Sequence, residues 1–361
     1  MAVSARLYRA LGLMSGTSLD GIDAAFVATD GRALVETGPG LTLPYDEPTR
    51  DRIRQCLGGG GPATAVTTEL TELHASAVAR FLAEHAVGPL DVVGFHGQTV
   101  LHRPKEGRTV QLGDGALLAQ RTGVDVVCDF RSADVAAGGE GAPLVPIYHA
   151  ALAAKLERPL AVLNLGGVAN VTWLGTGADE MLAFDTGPGN ALIDDWVRRH
   201  TGALFDRDGA LARSGQADEQ WVARFLAHPF FARRPPKSLD RDEFQRFVPE
   251  HLSPADGAAT LVAMTAAGAE AALRHLPLAP RRWLLGGGGR HNPALTAALA
   301  GALGAPVEPV EAVGWDGDAL EAQAFGYLAV RSLLGLPLSF PGTTGVKAPV
   351  AGGRLFHPPR N

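Results

Sequence analysis

Cysteine is scarce: Cys56 and Cys128 are the only two in 361 residues, and they stand far apart in no CxxC pattern. Neither a disulfide framework nor a zinc site is indicated, and a reducing compartment is consistent. Nowhere do about eighteen apolar residues run together, and the opening MAVSARLYRALGLMSG lacks the apolar stretch of a signal peptide. A cytoplasmic protein with no membrane contact is therefore expected. Runs of Lys and Arg are missing too, and a net charge of −6 leaves no footprint for nucleic acid. No GxxxxGK[ST] occurs, and no GxG pair gains a third glycine at the dinucleotide spacing, which argues against P-loop and Rossmann folds.

Glycine is plentiful, at 45 residues, against a usual ~7 per hundred. Many turns must approach something closely. The length suits two domains, and 46% hydrophobic with 19% charged residues is a globular composition. The most unusual stretch is GLMSGTSLDGID at 12–23. Residues 7–14 and 22–27 read as strands, which makes 15–21 a hairpin turn. Gly16 and Gly21 permit close backbone approach, Ser15, Thr17 and Ser18 add hydroxyl donors, and successive N–H groups can be aimed at an anion. Asp20 would suit a metal. An ordinary polar turn has the same composition.

Helical spacing follows at 67–84, then a strand at 91–95 that runs into His96, Gly97, Gln98 and Thr99. Strand ends are where α/β proteins place ligands, although a histidine there serves equally well as a structural hydrogen-bonder. A strand at 124–130 precedes Arg131. Extended backbone puts Asp129 and Arg131 on the face away from Phe130, which leaves two readings open, an internal salt bridge or an arginine that grips a carboxylate. Residues 142–156 look helical, and a domain boundary is expected near Glu157. At 161–174 a strand, a Gly166-Gly167 bend and a second strand echo the opening hairpin, which suggests two related domains. FDTGPGN at 184–190 places Gly187 and Gly189 before a helix at 191–200, whose N-terminus favours phosphate. Asp185 falls in that turn, either as a cap or as a functional carboxylate. The polar 205–251 reads as an inserted loop region with short helices. After a helix at 258–276, a strand at 283–285 opens into Gly286, Gly287, Gly288 and Gly289, suited to a nucleotide base or ribose, and a last helix spans 318–334.

Taken together, the blocks at 12–23, 94–104, 128–146, 163–172 and 184–190 resemble those of the 1,6-anhydro-N-acetylmuramic acid kinases, in the actin, hexokinase and Hsp70 superfamily. The resemblance implies an α/β, two-domain actin-like ATPase (ribonuclease H-like) fold with a central interdomain cleft. The expected domains are 1–157 and 158–335, with the tail at 336–361 returning to the first. It also implies a reaction in which 1,6-anhydro-N-acetylmuramic acid, ATP and water give N-acetylmuramic acid 6-phosphate and ADP, a step in recycling cell-wall fragments. Asp185 is then the catalytic base, and Glu321 assists or orients the water. ATP is expected on Gly16, Thr17, Ser18, Leu19, Asp20, Gly21, Ile22 and Asp23, with Gly187, Gly189 and Gly286 to Gly288. The sugar is expected on His96, Gln98, Asp129, Arg131 and Asn170, with Arg131 on the lactyl carboxylate. Mg²⁺ beside Asp20 and a homodimer complete the expectation. Two departures stand out: Glu140 where the family has Gln, and Leu239-Asp240 where it has Thr-Gly. A kinase for another sugar and a non-catalytic, sugar-responsive or filament-forming relative are the alternatives.

Overall fold

The computed structural model describes residues 6–16, 19–177, 180–239 and 243–359. The chain divides into two compact units, Met1–Lys155 with Ala319–Asn361, and Leu156–Asp318. Among the described residues, no helix is long and apolar enough to cross a membrane.

In chain order the strands are β1 (Tyr8–Ser15), β2 (Gly21–Thr29), β3 (Val35–Pro44), β4 (Val92–Arg103), β5 (Arg108–Leu112) and β6 (Val126–Cys128). They continue with β7 (Leu160–Leu165), β8 (Val168–Leu174), β9 (Met181–Pro188), β10 (Trp283–Gly286), β11 (Val307–Pro309) and β12 (Arg354–Phe356). The first unit's sheet runs β12-β6-β4-β1-β2-β3, with β5 beside β4, and the second unit's runs β11-β10-β7-β8-β9. In both, three antiparallel strands (β1 to β3, β7 to β9) are followed by two that join in parallel (β4 and β6, β10 and β11). The echo between the two glycine hairpins thus extends to the topology of both sheets, the duplicated ribonuclease H-like arrangement.

In the first unit β1 is apolar on both faces because both are covered. Leu11 and Leu13 face a core with Val78, Phe81, Val93 and Phe95. The residues between them face the helix Leu320–Leu333. A row of small residues crosses four strands there, Gly94 to Gly12 to Ala25 to Gly40. A Cβ on Gly94 would lie 2.1 Å from the Phe325 carbonyl oxygen, one on Gly12 1.7 Å from that of Ala322, and one on Gly40 3.1 Å from Ala319 Cβ. The helix rests directly on sheet backbone. This packing moves the second boundary from the expected 335 to Ala319, since the helix belongs with β1, β2 and β4.

Local readings change at several points. β3 spans VETGPGLTLP, whose glycines and Pro39 hide the strand period, and its place at the sheet edge tolerates the proline. β4 does not end at Phe95 but continues to Arg103 through a bulge, with Leu13 opposite Phe95 and Ser15 opposite Gln98. β6 stops at Cys128 and Asp129 takes φ +56°, so the extended geometry expected through Arg131 is absent. Helix at 142–156 shrinks to Pro146–Leu152, with proline in the first turn. The 205–251 region is not merely polar, because Phe225, Phe230, Phe231 and Phe244 are buried in the second unit's core. They sit on short elements with no common period to read.

Candidate functional site

The opening turn is held by its neighbours. Ser15 Oγ donates to Gln98 Oε1 at 2.6 Å and lies 2.8 Å from the Tyr45 hydroxyl, while Gln98 Nε2 donates to the Gly16 carbonyl at 3.2 Å. Gln98 is fully buried, so its amide supports the turn. Thr17 and Ser18 lie outside the described residues. Leu19, with φ +59°, and Ile22 bury their side chains among Tyr45, Ile53 and Cys56, and the Leu19 N–H is bonded to the Gly16 carbonyl at 3.2 Å. Gly21 is demanded by packing, since a Cβ would lie 2.3 Å from the Leu43 carbonyl oxygen. Asp20 is exposed. Asp23 accepts from Thr42 Oγ1 at 2.6 Å.

His96 and Arg131 form one device. The guanidinium has five N–H donors. Nε and Nη2 point at His96 Nε2 at 3.2 and 2.9 Å, and Nη1 donates to the Gly141 carbonyl at 2.8 Å. Arg131 thus pairs with a neutral ring and a carbonyl rather than Asp129, and two of its donors have no partner among the described residues. His96 Nδ1 is 2.7 Å from the Gly97 carbonyl, which places the proton on Nδ1 and leaves Nε2 to accept. Burial, then the Arg131 charge, pushes the His96 pKa well below its ordinary value, so the ring stays neutral. Glu321 stands in the first turn of Leu320–Leu333 and is reached by water. Desolvation nonetheless raises its carboxyl above the ordinary range, with Arg131 opposing and Asp23 adding to the rise. His96 and Asp129 also line a recess of about 420 Å³ with Gln111, Asp114, Ser132 and Arg354, a volume within the range of ligand sites.

At the Glu140 departure the main chain donates its N–H to the Thr344 carbonyl at 2.7 Å and accepts from His102 Nε2 at 2.9 Å. The following Gly141 N–H is held by buried Asp134 at 2.6 Å.

In the second unit one register row crosses four strands, Gly286 to Asn164 to Asn170 to Asp185. Directly paired residues share a face, so two amides and a carboxylate lie side by side, each half-buried. Asp185 is therefore in strand β9 rather than in the turn, and the cap of the helix Ala191–Thr201 is Asn190. Asn164 escaped the sequence reading. An asparagine inside the apolar AVLNL, where strands disfavour it, was its signal.

The glycines near this row divide into two kinds. Gly189 donates its N–H to the Gly167 carbonyl at 3.0 Å, and a Cβ there would lie 2.0 Å from the Gly166 oxygen. Gly187 has φ +149°, and Gly287, at φ +71°, would press a Cβ to 2.5 Å from Asn164 Oδ1. These three are shaped by protein. At Gly288 the nearest atom to a Cβ is Asn190 Nδ2 at 3.6 Å, which leaves its backbone open to a ligand. Buried Arg290 fixes the loop, donating to the Gly287 carbonyl at 3.0 Å and pairing with Glu311 and Asp318 at 2.9 Å each.

Asp185 is gripped twice by one segment. Its N–H donates to the Lys237 carbonyl at 3.0 Å, and its Oδ2 accepts the Leu239 N–H at 2.7 Å. The latter contact uses main chain, so leucine in place of threonine leaves it intact. Asp240 lies outside the described residues.

The family described as "Anhydro-N-acetylmuramic acid kinase" matches residues 8–358. A protein of that name from Rhodospirillum rubrum is 59% identical over 352 residues, covering 96% of this chain and 94% of the relative. One from Acidiphilium cryptum is 59% identical over 359 residues, covering 97% and 98%. Among solved structures, a ROK family glucokinase from Streptomyces griseus in complex with glucose and AMPPNP aligns with TM-score 0.39 and 15% identity, over 89% of this chain and 99% of its own. With a family match over nearly the whole chain and relatives at 59% identity, the chain belongs to the anhydro-N-acetylmuramic acid kinase family.

Proposed function

We propose that the protein uses ATP and water to convert 1,6-anhydro-N-acetylmuramic acid to N-acetylmuramic acid 6-phosphate, with Asp185 as the base. The observation that carries this reading is the clasped carboxylate of Asp185 in a polar row beside glycine-rich loops. Water attacks the anomeric carbon and gives its proton to Asp185. The bond from that carbon to O6 breaks, its electron pair passes to O6, and O6 attacks the γ-phosphorus in line as ADP leaves. Phosphate takes the place of the acid that a leaving oxygen otherwise needs.

Gly288 is a nucleotide contact in this reading, as is the glycine-rich segment that begins at Gly16, whose carbonyl Gln98 holds. Arg131, with two donors remaining, takes the lactyl carboxylate, and His96 holds it in place. Glu321 orients the water or a sugar hydroxyl. Mg²⁺ in this reading is held chiefly by phosphate oxygens and water, with exposed Asp20 as the protein neighbour. The metal would offset triphosphate charge. A cytoplasmic homodimer belongs to the same reading, and sedimentation velocity tests the dimer.

The test is incubation with Mg-ATP and either 1,6-anhydro-N-acetylmuramic acid, N-acetylmuramic acid or the anhydro sugar that lacks the lactyl group. Phosphosugar is expected chiefly from the first. Faster turnover of the ring-opened sugar would overturn the reading in favour of an ordinary sugar kinase.

A further inference from the structure

Of the four lysines, Lys105, Lys155 and Lys347 are exposed and Lys237 alone is buried, at 4% exposure. A buried ammonium is costly unless it is compensated. Here Nζ donates to the Phe230 carbonyl at 3.1 Å and lies 4.3 Å from the centre of the Phe230 ring and 5.6 Å from that of Phe184. A carbonyl and two aromatic faces are modest partners, and an apolar side chain would pack as well. The location gives the charge a purpose. Phe184 precedes Asp185 in β9, Phe230 lies in the helix Pro229–Ala232, and the main chain of Lys237 itself receives the Asp185 N–H.

We infer that Lys237 is a positioning residue for Asp185: its buried ammonium pins residues 237–239 to the aromatic pair, and that segment's main chain then aims the carboxylate. This rests on the reading of Asp185 as the base. The charge has a second effect, because a cation near a carboxylate favours its ionised form. Among the described residues, the charged or titratable groups facing Lys237 are Arg233, Arg274, His275 and Asp185, of which only the last is acidic. Burial, followed by the two arginines, lowers the Lys237 pKa to about 8, with Asp185 opposing. The ammonium is therefore largely charged at neutral pH.

The experiment compares Lys237→Met, Lys237→Arg and Asp185→Asn with the unmodified enzyme. Displacing a reacting group by a fraction of an ångström to 1 Å costs on the order of 10–10² in rate. Lys237→Met is expected to lose that factor in kcat, while KM for ATP changes less than about twofold. The acidic limb of its kcat profile should move to higher pH, since a charge that favours the carboxylate is gone. Lys237→Arg should restore part of kcat and return the limb. Unchanged kcat and an unmoved limb in Lys237→Met, beside an inactive Asp185→Asn, would overturn the positioning role alone. A near-normal Asp185→Asn would overturn the reading of the base itself. Should Lys237→Met fail to fold by circular dichroism, Leu239→Pro decides, because it removes the N–H that reaches Asp185. A similar loss of kcat supports the clasp, and unchanged kcat overturns it.

Discussion

Replacing Gly12 with alanine adds one carbon where the helix Leu320–Leu333 meets sheet backbone. That carbon would stand 1.7 Å from the Ala322 carbonyl oxygen and 2.5 Å from the Gly326 nitrogen. Side-chain carbons do not come within 3.0 Å of such atoms, so the helix must retreat by about 1.3 Å. Backbone cannot rotate away as a side chain would. The same helix is seated by Gly94, and a Cβ on Gly326 would itself lie 2.9 Å from Val27 Cγ1, so retreat opens several contacts together. Overpacking typically costs ~1–3 kcal/mol, and this site belongs at the upper end, about 3 kcal/mol. At ~2–4 °C per kcal/mol for a body of this size, the first unit's Tm falls by roughly 6–12 °C. Because Glu321 stands in the helix's first turn, kcat falls with it. Scanning calorimetry and steady-state kinetics read both. Gly60→Ala is the control, since nothing lies within 4 Å of a Cβ there. A Gly12→Ala protein whose Tm stays within about 2 °C of the unmodified value, with full kcat, refutes the seat of this helix.

Gly288→Val should leave Tm nearly unchanged but weaken nucleotide binding by tenfold or more, ~1.4 kcal/mol, as read by calorimetric titration. Equal affinity would remove Gly288 from the nucleotide site. Arg131→Ala should cut kcat/KM far more for 1,6-anhydro-N-acetylmuramic acid than for the analogue without the lactyl group, and an equal loss on both would end the carboxylate assignment. Burial lowers the pKa of His74 to about 4 and that of His149 to about 3. Between those values and ~6.5 the unfolded chain binds more protons, so stability rises with pH and is lost as pH falls through this window, by about 3 kcal/mol for His74. Denaturant unfolding at pH 7 and pH 4 checks this, and a flat stability would contradict it.

Much of the site was legible because its chemistry is written locally. Glycine clusters that follow apolar strands stand out at 15–21 and 286–289, and DTGPGN singles out Asp185. A glycine letter, however, does not say what approaches it. Gly12 meets a helix and Gly21 meets β3, Gly189 meets a neighbouring turn, and Gly288 meets nothing closer than Asn190 Nδ2 at 3.6 Å. Gln98, expected on the sugar from the family resemblance, is bonded to Ser15 and Gly16, more than eighty residues away in sequence, a partnership that no local pattern announces. The boundary at Ala319 was hidden for the same reason, since no change of composition marks a helix that belongs to strands three hundred residues earlier. The clasp from Lys237 to Leu239 uses main-chain groups that every non-proline residue carries.

In the proposed mechanism one carboxylate serves both halves of a coupled reaction, and following ADP and ring-opened sugar together in Asp185→Asn, in ¹⁸O-labelled water, decides whether it does. Asparagine keeps the size and can still accept the Leu239 N–H, but it takes no proton from water. ADP release and ring opening should fall together by ~10²–10⁴ while ATP still binds, and the sugar product of the unmodified protein should carry the label at its anomeric carbon. Near-normal phosphosugar formation by Asp185→Asn, or ADP release that persists after ring opening is lost, would contradict it.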